Sequence, residues 1–139
     1  MDYIKKLLNA YEKFNADAAF IVLEIENPKQ YGIIEGVEVE EGIFRVKTAI
    51  EKPEKPSTNL AIMAMYAFKP SIFKALEAIK NKNSEEVQLT DAIQKLVDWG
   101  SNVYAVKLDG SYSHMDVGSP ERYWEALELS YKGSCGGNI

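Results

Sequence analysis

The chain has 139 residues, enough for one ordinary domain and short for two. Hydrophobic residues make up 46% and charged residues 27%, the balance of a soluble globular chain, and no apolar run reaches the length that spans a bilayer. A net charge of -5 argues against nucleic acid as the main partner, which needs a basic face, yet leaves room for a phosphate-bearing small molecule that one lysine can hold.

The single cysteine, Cys135, excludes an internal disulfide framework and a cysteine-rich zinc site. His114 is the one histidine, so a serine-histidine-aspartate triad would have to be built on it alone. The start, Met1-Asp2-Tyr3-Ile4-Lys5-Lys6, lacks the apolar core of a signal peptide. Together these point to a reducing cytoplasm and no membrane partner.

Ile4, Leu7, Leu8, Tyr11 and Phe14 recur at spacings of three and four, which predicts an amphipathic helix over 2–14. Asn15-Ala16-Asp17 breaks that pattern. Ala18 to Ile25 then reads as a strand covered on both faces, the mark of an α/β sheet rather than a sandwich. Asn27-Pro28-Lys29-Gln30 is a turn, and Tyr31–Val39 and Ile43–Ile50 read as a hairpin joined across Glu40-Glu41-Gly42. Glu51 to Ser57 is a proline-marked loop in which a helix could not persist.

Leu60 to Phe68 resumes strand character, and Pro70-Ser71 opens a helix with Ile72, Phe73, Leu76 and Ile79 inward. Leu89, Ala92, Ile93, Leu96 and Val97 form the next amphipathic face, stopped by Gly100. Val103–Val106 is a short strand. Ser119-Pro120-Glu121 is a helix start, with a capping hydroxyl, proline at the first position and an acid in the first turn. That helix is expected to end near Leu129, giving one partial domain over 1–131 and a loose tail over 132–139.

Three short motifs could carry chemistry. Glu51-Lys52-Pro53 follows an apolar strand, so an acid and a base stand at the rim of the sheet, where open α/β folds bind ligands. The lysine can hold a phosphate as a point charge and the glutamate can accept hydrogen bonds from hydroxyls, although an ordinary solvated turn has the same composition. Tyr31-Gly32 either lets a ligand approach the backbone closely or merely begins a strand. Asp116-Val117-Gly118 either supplies a carboxylate to Mg²⁺, which takes one or two of them with phosphate oxygens and water, or forms a turn. A surface loop is the ordinary setting for His114, though it could touch phosphate or metal.

The order of these motifs carries more than any one of them. Tyr31-Gly32, Glu51-Lys52-Pro53, Pro56-Ser57-Thr58-Asn59-Leu60-Ala61 leading to Tyr66, Glu86-Val87-Gln88-Leu89-Thr90-Asp91-Ala92-Ile93 and Asp116-Val117-Gly118-Ser119-Pro120 follow one another over residues 1–130. In that series the chain resembles the glucose-1-phosphate uridylyltransferase and thymidylyltransferase family of sugar-1-phosphate nucleotidyltransferases, with a slight preference for the uridylyl branch. The resemblance implies the C-terminal portion of a Rossmann-like α/β fold, a mixed sheet with flanking helices. Tyr31 and Gly32 would line a sugar pocket, Glu51 would accept hydroxyl hydrogen bonds, Lys52 would grip the sugar's phosphate, and Tyr66 would close the pocket. Asp116 would be one of two carboxylates on a catalytic Mg²⁺. Glu86 and Asp91 would shape a strand-to-helix corner.

The departures from the family pattern are equally specific. The family's Gly-rich phosphate loop and its first metal-binding aspartate have no counterpart here. His114 stands where the family has an aromatic residue, Glu85 where it commonly has glycine, and Ala64-Met65-Tyr66 where it has Gly-x-Tyr. The expectation is therefore a sugar-phosphate-binding half, inactive alone, that takes glucose-1-phosphate or a related hexose phosphate and needs the missing half for a nucleoside triphosphate. A non-catalytic assembly module is the alternative, and a glycosyltransferase using Asp116 a weaker third. Loss of the covering half is expected to leave Ala18–Ile25 as an exposed apolar edge and so to drive homo-oligomer formation.

Overall fold

A computed structural model of the protein describes residues 2–80, 86–109 and 117–135. Four helices and five strands follow in the order α1 (Asp2–Lys13), β1 (Ala18–Glu24), β2 (Gly32–Glu40), β3 (Ile43–Glu51), β4 (Leu60–Phe68), α2 (Ser71–Ile79), α3 (Leu89–Asp98), β5 (Val103–Lys107) and α4 (Pro120–Cys135). A 3₁₀ turn over Pro28–Gln30 occupies the expected proline turn. The sheet is mixed, with β1 and β5 parallel and the other neighbours antiparallel. It closes on itself in the order β1-β4-β2-β3-β5, because the first residues of β3, Ile43 to Arg45, reach across to β5.

Alternation along β1 divides the core in two. Ala18, Phe20 and Val22 face a cluster built with Ile72, Ala75 and Ile79 of α2 and Ala92, Ile93 and Leu96 of α3. Ala19 and Ile21 face the opposite cluster, with Leu7 and Ala10 of α1 and with Tyr104 and Val106 of β5. This is the continuous apolar run that a strand covered on both faces requires. The expected exposed edge at Ala18–Ile25 is absent: β1 pairs with β4 on one side and β5 on the other, and Ala18 to Val22 are at most 2% exposed. The neighbours come from later in the chain, β4 antiparallel and β5 parallel to β1.

The hairpin turns at Glu41 and Gly42 between paired Glu40 and Ile43, and Gly42 takes φ +72°, where a side chain would be strained. From that turn the register runs back to pair Gly32 with Glu51 at the open end. Lys52 N–H donates to the Tyr31 carbonyl at 3.1 Å and ties that end shut.

At the start of α4 the Ser119 hydroxyl accepts from Arg122 N–H at 3.3 Å. Hydrogen bonds to the Glu121 carboxyl, from its own backbone N–H and then from Ser119, hold its pKa below the ordinary carboxylate value. The helix runs on to Cys135, so Lys132 to Cys135 are helical where a loose tail was expected. No helix among the described residues is long and apolar enough to cross a membrane.

Candidate functional site

The open end of the hairpin, the middle of β4 and the first turn of α3 converge on a cavity of about 250 Å³. Its lining includes Gln30, Tyr31 and Gly32 before and at the start of β2, Glu51 at the end of β3, and Ile62, Met63, Ala64 and Tyr66 of β4, with Thr90 of α3. Hairpin register explains the first pair, since Gly32 and Glu51 are cross-strand partners. An irregularity in β4 explains the third strand's contribution. Between the pairs Phe20–Tyr66 and Val22–Ile62, Ile21 of β1 stands against Met63, Ala64 and Met65 of β4. The surplus residues bulge the strand, and such bulges re-aim side chains beside sites.

Three polar groups meet in this cavity. The Thr90 hydroxyl donates to Glu51 Oε2 at 2.6 Å, within the range of a charge-assisted O–H···O⁻ bond. Tyr66, with its ring 6.2 Å from Phe20 and stacked at 5.4 Å on Phe68, has its phenol pKa raised above 10.0, first by burial and then by the Glu51 charge. It therefore stays a neutral donor at physiological pH. Gly32 has no side chain because there is no room for one: a Cβ there would lie 2.6 Å from Thr90 Oγ1 and 3.0 Å from Glu51 Oε2. Buried Ile62 and Met63 give the cavity an apolar wall. A carboxylate, a phenol and an apolar wall in so small a space suit a hydroxylated ring with one apolar face.

Of the residues singled out from sequence, Tyr31, Gly32, Glu51 and Tyr66 are brought together around this cavity. Lys52 is exposed beside it, not among its lining residues, and its side chain makes no hydrogen bond or ion pair among the described residues. Its backbone takes φ 42°, an uncommon conformation for a non-glycine residue that recurs at functional sites. Asp116 and His114 lie outside the described residues. Asp91 is exposed on α3, so the Gln-Leu-Thr-Asp motif reaches the cavity through Thr90 instead. The signal that could have found it is a threonine at the start of an amphipathic helix, on the same side as the buried Ile93.

Two larger hollows, of about 340 and 520 Å³, open between α1, the hairpin turn and β5. Two of their lysines are already neutralised, Lys13 by Glu40 at 2.6 Å and Lys107 by Glu24 at 2.7 Å. Lys6, Glu38, Glu41, Lys107 and Asp109 give the larger one a mainly charged lining.

A family model for nucleotidyl transferases matches residues 1–132. The chain belongs to the nucleotidyl transferase family. It is 35% identical over 132 residues to a UTP–glucose-1-phosphate uridylyltransferase of Pseudomonas aeruginosa, covering 93% of this chain and 46% of that protein. It is also 35% identical over 123 residues to a low-salt glycan biosynthesis nucleotidyltransferase of Haloferax volcanii, covering 88% of this chain and 33% of that one. Among solved structures, a UDP-glucose pyrophosphorylase complexed with UDP-glucose superposes with a TM-score of 0.82 at 31% identity, over 94% of this chain and 49% of that chain. This nucleotidyl transferase chain thus spans a third to a half of the relatives it matches.

Proposed function

We propose that this chain forms the sugar-phosphate side of a glucose-1-phosphate nucleotidyltransferase of the uridylyl type, and that catalysis needs a nucleotide-binding surface from elsewhere. The observation that carries the reading is the cavity in which Glu51, Tyr66 and the bare backbone of Gly32 converge beside Lys52. The names of the relatives, uridylyltransferases acting with UTP and glucose-1-phosphate, support the same substrate class.

In this reading the hexose lies against Ile62 and Met63, Glu51 accepts from its hydroxyls and Tyr66 donates to them. Lys52 holds the 1-phosphate. A phosphate oxygen of the sugar then attacks the α-phosphorus of the triphosphate in line, the bond from that phosphorus to the bridging oxygen breaks, and pyrophosphate leaves. No protein nucleophile is consumed, so catalysis is positioning and charge neutralisation. Mg²⁺ belongs to the proposal, with Asp116 as one carboxylate ligand. Among the described residues no group of three or more histidine, cysteine, aspartate or glutamate side chains gathers to hold a metal.

Calorimetry with glucose-1-phosphate and with UTP, each with and without Mg²⁺, tests the reading. Weak sugar-phosphate binding, lost in Lys52→Ala, and no UTP binding are expected. Tight UTP binding by the chain alone would overturn it.

An assembly role is the second reading, and α4 favours it. Tyr123, Trp124, Leu127, Leu129 and Tyr131 are all exposed on that helix. Cover by a second copy or by a complementary half predicts a concentration-dependent sedimentation coefficient that falls in Trp124→Ser. A single monomeric species across the concentration range would count against it.

A further inference from the structure

We propose that Thr90 is a positioning residue of this site: its hydroxyl holds one oxygen of the Glu51 carboxylate so that the other is presented to a hydroxyl of the bound sugar. The inference rests on the sugar-phosphate reading and deepens it.

Thr90 is the one buried polar or charged residue among the described residues, at 6% exposure. Burying a hydroxyl is unfavourable unless it is hydrogen-bonded, and this one is bonded to the cavity's carboxylate at 2.6 Å. The donor is itself immobile. Thr90 sits in the first turn of α3, and Ala92, Ile93 and Leu96 anchor that helix in the core at 0% exposure. β-Branching restricts its χ1 further. The acceptor without it would be loose, because a glutamate at a strand end has three side-chain torsions to order.

The chemistry divides the carboxylate between two tasks. An ionised carboxylate has two oxygens and about four acceptor positions. Thr90 takes Oε2, which leaves Oε1 for a ligand in a cavity whose other polar side chains, Gln30, Tyr31 and Tyr66, can all donate. The absent Cβ of Gly32 belongs to the same device, since a methyl there would push Thr90 and Glu51 apart. A bond that served the fold alone would not need to end on the carboxylate that lines the cavity.

The test compares glucose-1-phosphate with inorganic phosphate, titrated by NMR into the 139-residue chain and its variants. Thr90→Val keeps the shape and removes the donor, and is expected to weaken glucose-1-phosphate roughly tenfold while leaving inorganic phosphate unchanged. Thr90→Ser keeps the donor and is expected to bind within about threefold of wild type. In a Glu51→Ala background, Thr90→Val is expected to add nothing, because its effect runs through Glu51. Wild-type affinity for glucose-1-phosphate in Thr90→Val would overturn the inference alone. So would equal weakening of both ligands, which marks a general loss of structure, or a further loss in the Glu51→Ala background, which marks direct contact with the sugar. Failure of the wild-type chain to bind glucose-1-phosphate would instead overturn the sugar-phosphate reading itself.

Discussion

Gly32→Ala concentrates the packing logic of the site in one methyl group. The added Cβ would lie 2.6 Å from Thr90 Oγ1, 3.2 Å from Thr90 Cγ2 and 3.0 Å from Glu51 Oε2. Glu51 can swing aside, but Thr90 is fixed to α3, whose Ile93 and Leu96 are fully buried. Overpacking of this kind costs roughly 1–3 kcal/mol. Exchanging glycine for alanine in a strand returns about 0.5–1 kcal/mol of backbone entropy, since position 32 has no unusual backbone requirement. The net loss is therefore centred on about 1 kcal/mol and at most about 2.5 kcal/mol, read as a lower urea midpoint with an unchanged m-value. Thr90→Ala in the same chain removes Oγ1 and Cγ2, two of the three nearest atoms, so the double variant should recover most of that loss without recovering ligand binding. A Gly32→Ala protein as stable as wild type, or a double variant no better than the sum of its parts, would refute the packing account.

Raising the pH should weaken the fold through Tyr66. Its folded pKa lies above the ordinary 10.0, so the unfolded chain ionises first; stability is full below pH 10.0 and falls as pH climbs toward the folded value. Tyr66→Phe should flatten that alkaline loss. Glu51→Gln should move the phenolate transition part-way back toward 10.0, burial keeping the rest, and an unmoved transition would remove Glu51 as a cause. Lys52→Gly should relieve the φ 42° backbone and raise stability by up to about 1 kcal/mol while abolishing phosphate binding, whereas Lys52→Ala loses binding with no gain in stability. Leu96→Ala opens a hole under α3 where the side chain is 0% exposed, and should cost about 2–5 kcal/mol in denaturant titration. A loss below that range would mean that α3 is not the anchor described.

Local patterns carried most of the elements. The 3.6-residue spacing of Leu89, Ala92, Ile93 and Leu96 is what a helix with one buried face must show, and Gly100 ends it at φ +76°. Ser119 caps α4 because its hydroxyl answers an orphan N–H of the first turn. The end of α4 was misread because its apolar residues do not keep one face, so periodicity offered no stopping point; exposed Tyr131 still lies within the helix.

Part of the site was equally legible, for a local reason. A two-residue turn at Glu41-Gly42 starts the hairpin register, and two irregularities along it, one on each strand, cancel so that Gly32 stands opposite Glu51. Tyr31, Gly32 and Glu51 were marked by the family resemblance, and the hairpin register explains why they meet. What remained depends on chain segments that meet only in three dimensions. Nothing in Leu60 to Phe68, an unbroken apolar run without glycine or proline, marks the bulge at Met63 to Met65 that turns Tyr66 and Ala64 to the cavity. Closure of the sheet rests on Ile43–Arg45 meeting Tyr104–Val106, and the strand that had been expected to lie bare is covered by its own pairing with β4 and β5. Thr90 reaches Glu51 across thirty-nine positions of sequence, because the core sets the depth of α3. The sequence by itself determined which residues could form strands, turns and charged rims, since those depend on near neighbours. Only the tertiary structure decided which carboxylate oxygen is held and which is left for a ligand, because that is settled by packing between distant elements.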